Sequence, residues 1–157
     1  MKKYLFLLLF FMSVLIVNSQ TNIAIDAAPR KVKLSWDAST IIGIKNYKIY
    51  RGLNPSPTSL LATTTTVSYI DLFLNNGIRY YYRITAVKAD DSETDYSTDV
   101  SGTPLGVWHV EKSGTPNGFG SSTSPLLLIQ SAIDLSASGE TVLVGDGIFQ
   151  EKLQINK

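Results

Sequence analysis

The chain has 157 residues, 14 of them basic and 13 acidic, and contains no cysteine. A length of this order holds one domain or two small ones. The balanced charge gives no electrostatic ground for nucleic acid or an anionic membrane as partner, and the lack of thiols excludes disulfides, cysteine nucleophiles and cysteine-ligated metals.

Lys2 and Lys3 precede an apolar run from Leu5 to Val17 interrupted only by Ser13. That run is shorter than the ~20 residues a membrane-spanning helix needs. With the small residue Ser19 behind it, the pattern predicts a signal peptide over residues 1–19, cleaved before Gln20. Cleavage removes two basic residues and no acidic one, so the mature chain carries a net charge of −1. The expected location is therefore secreted or cell-surface, with no membrane span after cleavage.

From residue 22 onward short strands alternate with turn clusters. Ile23 and Ile25 open a first strand that stops at Pro29. In Lys31–Asp37, Val32, Leu34 and Trp36 share one face and the lysines the other. Ile44–Arg51 repeats the pattern with Tyr47 and Ile49 inward, and Asn54-Pro55-Ser56-Pro57 breaks the chain. Leu60–Thr66 reads as an edge strand, followed by Ser68–Asp71. After the turn Asn75-Asn76-Gly77, Tyr80, Tyr82, Ile84 and Ala86 face inward; Arg79, Tyr81, Arg83, Thr85 and Lys88 face water. Glu93–Ser97, Val100 and Thr103-Pro104 make a last strand and its stop. One packed and one wet face per strand is the mark of an antiparallel sandwich.

Leu34-Ser35-Trp36, Tyr47–Arg51, Leu74 to Val87 and Tyr96-Ser97 to Thr103-Pro104 resemble fibronectin type III modules over residues 27–104. The resemblance implies an immunoglobulin-like sandwich in which the Tyr80 hydroxyl bonds back to the backbone at a corner. Ile78 stands where relatives usually have threonine. Tyr47, Tyr69, Tyr80 and Tyr82 are assigned to the core; Tyr50, Tyr81 and Tyr96 are expected outward as ordinary sheet surface. Arg51-Gly52-Leu53 lacks the aspartate of an integrin-type loop, and Asp90, Asp91, Glu93 and Asp95 lack calcium-loop spacing, so they read as a solvated acidic turn.

Composition changes after Pro104. Val107–Val110 reads as a short strand, residues 113–124 as a polar loop, and Ser124-Pro125 as the cap and first position of a helix ending near Gly139. Leu126, Ile129, Ala132 and Ile133 form its apolar stripe. Thr141–Val144 is a buried-type strand, and Ile148-Phe149 a second short one. The pattern Pro125-Leu126, Ile129-Gln130-x-Ala132-Ile133, Gly139-x-Thr141-Val142-x-Val144, Gly147-x-Phe149-x-Glu151 resembles the opening of a right-handed parallel β-helix of the pectin lyase-like superfamily. Leu128 and Phe149 replace the threonine and tyrosine common there.

The expected fold is mainly β: a fibronectin type III β-sandwich (22–104), a linker strand and Gly/Ser-rich loop (105–124), and a truncated right-handed β-helix start with one capping α-helix (125–157). A single rung cannot bury its inward face, since such coils are stabilised by stacked neighbours. Glu140, Asp146 and Glu151 read as turn or rim residues, and His109 as a surface residue. No catalytic residue, cofactor-binding residue or metal ligand is expected. The leading expectation is a secreted, non-catalytic spacer or adhesion module. The alternatives are the front of a larger polysaccharide-active β-helix enzyme and, third, a cell-surface adhesin. Expected partners are an extracellular polysaccharide, a cell-surface protein, or a second copy at the open coil end.

Overall fold

The computed structural model describes residues 22–155; the expected signal peptide lies outside the described residues. Strands β1 (Ala24–Ala28), β2 (Lys31–Ser35) and β5 (Ser68–Asp71) form one antiparallel sheet in the order β1-β2-β5. Strands β3 (Ile44–Gly52), β4 (Leu60–Thr64), β6 (Tyr80–Lys88) and β7 (Val100–Gly102) form a second in the order β4-β3-β6-β7. Facing sheets of three and four strands in this order make a sandwich of immunoglobulin type.

Alternation decides what lies between the sheets. Val32, Leu34 and Trp36 meet Tyr47, Ile49, Tyr82, Ile84 and Ala86 in one continuous core, and the Trp36 and Tyr47 rings pack edge to face at 5.5 Å. Each large side chain withdrawn from water contributes about 1.5–3 kcal/mol. The corner forms as the resemblance implies: the Asn75 amide donates to the Tyr80 hydroxyl at 3.1 Å, and Gly77 supplies the left-handed turn at φ 81°.

Two expected outward residues are buried. Thr85 is 1 % exposed and Tyr50 6 % exposed, because residues 93–97 fold over the outer face of β3 and β6. The last strand does not run from Glu93 to Val100. Glu93 makes one isolated bridge with Val87; then hydroxyls stand in for the ladder, with the Ala86 amide donating to Thr94 Oγ1 and the Ile84 amide to Ser97 Oγ, each at 3.0 Å. Regular pairing resumes at β7.

The rest of the described chain has its own sheet. Strand β8 (Val107–Thr115) pairs in parallel with β9 (Thr141–Val144), placing Trp108 beside Val142 and Val110 beside Val144. A parallel pair needs a crossover, and helix α1 (Ile129–Leu135) lies within it. Trp108, Val110, Leu126 and Ala132 form a small second core, with Ile129, Val142 and Phe149 packed against it.

The helix differs from its expected form. It begins four residues beyond Pro125, because Leu126 stays extended and bridges Val110 and Thr115. Ser124 Oγ accepts the Phe119 amide instead of capping the helix. The cap comes from Glu151, whose carboxylate takes the amides of Ile129 and Gln130 at 3.0 and 3.1 Å, where the helix dipole favours an anion. Ile148 and Phe149 do not form the expected strand, and β8 runs into the segment expected to be loop.

Candidate functional site at the junction

The two sheet systems are joined through one carboxylate. Glu140 follows Gly139, which turns the chain at φ 80°, and its side chain is 4 % exposed. Oε1 accepts from Arg30 Nε at 2.8 Å and Asn76 Nδ2 at 3.0 Å; Oε2 accepts from Trp108 Nε1 and the Ala137 amide, both at 2.9 Å. Burial alone would raise its pKa. The four donors, from the Ala137 amide to the Arg30 charge, outweigh that and hold it below the usual carboxylate value.

Both sandwich residues that reach Glu140 sit in tight turns. Arg30 links β1 to β2 at φ 57°; its amide donates to Asn76 Oδ1 and its Nη2 to the Leu135 carbonyl, both at 2.9 Å. Next in the chain, the Lys31 ammonium lies 4.2 Å from the Phe119 ring centre and 5.1 Å from that of Trp108. Such placement over ring faces is favourable. Burial, opposed in part by nearby Asp26, pulls the Lys31 pKa below the usual lysine value. Ser121 Oγ donates to Asp26 Oδ2 at 2.9 Å, a further tie across the junction.

Beside this latch opens a cavity of about 270 Å³ lined by Arg30, Lys31, Leu72, Phe73, Trp108 and Leu135. Phe73 is 92 % exposed and holds φ at 61°, a region an aromatic L-residue rarely adopts.

The carboxylates singled out in the sequence do not converge. Asp91 pairs with Lys45 at 2.7 Å, Asp90 binds Ser92, and Asp95 and Asp146 are exposed. Glu93 is exposed with the rest of that acidic turn, but it also contacts Lys48, Tyr50 and Thr85 and so anchors the turn to the sheet. Glu140 and Glu151 are likewise held by internal donors and are not rim residues. His109 is half-buried on β8. Among the described residues no group of three or more His, Asp or Glu side chains is placed to hold a metal ion. The junction role of Arg30, Asn76 and Glu140, and the exposure of Phe73, had no signal in local periodicity.

No family model matches the chain. Over 76 residues it is 33 % identical to an amylopullulanase of Thermoanaerobacter thermohydrosulfuricus, a match covering 47 % of this chain and 5 % of that protein. Among solved structures it is similar to a β-1,2-glucanase from Parabacteroides distasonis, at 26 % identity and a TM-score of 0.50 over 55 % of this chain and 13 % of that one. It is also similar to a Fn3-like protein from Clostridium thermocellum, at 26 % identity and a TM-score of 0.48 over 52 % of this chain and 86 % of that one. The chain thus spans about 5 % of the length of the curated relative and 13 % of the glucanase.

Proposed function

We propose that this chain is a non-catalytic spacer, a fibronectin type III sandwich joined rigidly to the opening of a parallel β-coil, in a secreted modular protein that handles carbohydrate. The observation that carries this reading is the Glu140 latch, which draws donors from Arg30 and Asn76 of the sandwich and from Trp108 and Ala137 of the second sheet system. A flexible linker needs no such fastening; a spacer that holds an angle does. The parallel β8–β9 pair with inward Trp108 and Val110 supports the coil, and the amylopullulanase and glucanase similarities support the carbohydrate setting. Secretion rests on the Lys2-to-Ser19 pattern; no helix among the described residues is long and apolar enough to cross a membrane.

The test has two parts. Nuclear relaxation on the purified chain should give one tumbling time for β6 and β8, and reducing-sugar assays on soluble polysaccharides should give no turnover. Separate tumbling times, or measurable hydrolysis or elimination, would overturn the reading. A second reading, the front of a larger polysaccharide-active β-helix enzyme, is favoured by the outer side of β9, which pairs with no strand among the described residues. Transcript sequence past the Lys157 codon separates the two: further rungs bearing clustered carboxylates favour the enzyme.

A further inference from the structure

We infer that the cleft between the β5–β6 corner and the second sheet system binds a ring of a neutral hexopyranose chain, with Phe73 as the stacking face. This inference rests on the carbohydrate setting proposed above and adds a site to it.

Three observations lead there. First, Phe73 combines an unfavourable backbone conformation with a ring left in water. A glycine at this position would relieve the backbone, and a polar residue would suit the solvent. A strained residue whose side chain serves no core is the kind of outlier that marks a binding position. The second strained residue of the cleft, Arg30, has its carbonyl bonded by the Leu74 amide at 2.8 Å, which couples the two turns.

Second, the cleft has the right size and charge. A cavity of about 270 Å³ falls just under the ~300 Å³ at which pockets for drug-sized ligands begin, room for one sugar ring at a wall and not for a large cofactor. Arg30 is neutralised by Glu140, and the Lys31 ammonium is committed to the Trp108 and Phe119 faces. An anionic sugar would therefore meet no free cation here, whereas the apolar face of a neutral pyranose can pack on an aromatic ring. The Arg30 guanidinium, held by Nε on Glu140 and Nη2 on Leu135, is part of the cleft wall.

Third, the larger hollow on the sandwich offers no such surface. It is bounded by Arg51, Leu53, Asn75, Ile78 and Tyr80, but Tyr80 is buried and its ring is already faced by Arg51. No aromatic ring stands free there.

The test is affinity electrophoresis of the full chain through gels containing pullulan, hydroxyethyl cellulose or, as the anionic comparison, polygalacturonate. Retardation by at least one neutral glucan and none by polygalacturonate is expected. Phe73→Ala and Phe73→Gly should each weaken binding about tenfold or more, the scale of one lost ring face, while Leu53→Ala leaves it unchanged. Phe73→Gly should melt at or above the native temperature, because glycine tolerates positive φ. No retardation in any neutral glucan, equal retardation of Phe73→Ala, preference for polygalacturonate, or a clear fall in the melting temperature of Phe73→Gly would each overturn the inference. None of these results touches the spacer reading, which depends on joint tumbling and the lack of turnover.

Discussion

Arg30 Nε and Glu140 Oε1 meet at 2.8 Å although 110 positions separate them in the chain. Arg30 is partly open to solvent and Glu140 is not, so the pair lies between the surface case, worth little, and the buried one, where removing a partner costs about 3–5 kcal/mol. Three further donors share the carboxylate. Glu140→Ala should cost about 2–4 kcal/mol and give β6 and β8 separate tumbling times, read by urea unfolding and nuclear relaxation. Native-like stability and tumbling in the variant would contradict this. Because the Glu140 pKa is held below its usual value, its contribution is present above the unfolded carboxylate pKa and disappears as pH falls through the lowered value.

A second pH dependence belongs to the sandwich alone. The Lys48 and Tyr50 hydrogen bonds hold the Glu93 carboxyl down to about 2 against its usual 4.5. The stability this supplies is complete above pH 4.5 and is lost as pH falls toward 2. Burial, then the Glu93 contact, raises Tyr50 from 10 to about 12. That contribution is complete below pH 10 and is lost as pH rises through about 12. Urea midpoints across pH should show Glu93→Gln flattening the acid limb and Tyr50→Phe softening the alkaline one. Part of the alkaline loss should survive in Tyr50→Phe, since burial and Asp71 also raise Tyr82.

Gly118 passes close beneath the chain at Pro125. A Cβ there would lie 2.0 Å from the Pro125 carbonyl oxygen and 3.0 Å from the Leu126 nitrogen, both backbone atoms that cannot swing aside. Gly118→Ala should cost about 3 kcal/mol, confined to the second sheet system. Nuclear spectra in which Trp108 resonances shift while those of Trp36 stay fixed would bear this out.

Amide exchange should be slowest in β3 and β6, which pair along eight register positions and have neighbours on both sides. It should be fastest in β9, with one partner strand and an outer side unpaired among the described residues. Equal protection in both would contradict that ordering.

The sandwich was legible because its signals are local. Tyr80, Tyr82, Ile84 and Ala86 alternate, and all four are buried; the Tyr80 corner follows from its distance to the turn. Tyr50 and Thr85 escaped the same logic because what covers them, Glu93 and Tyr96, arrives some 8–46 positions later. In the second part, helical spacing correctly joined Ile129 with Ala132 but also drew in Leu126, whose apolar side chain suits a strand bridge equally well. The site was hidden more deeply. Nothing near Glu140 announces that its donors come from positions 30, 76 and 108, and no pattern marks Phe73 as left-handed.

The placement of the two indoles has a practical consequence. Trp36 sits inside the sandwich against Tyr47, while Trp108 lies at the seam, bonded to Glu140 and faced by the Lys31 ammonium. Any parting of the halves withdraws a nearby cation and exposes one indole, leaving the other in oil-like surroundings. Intrinsic emission of this chain should therefore register hinge opening and core melting as two distinct optical events, without an added label.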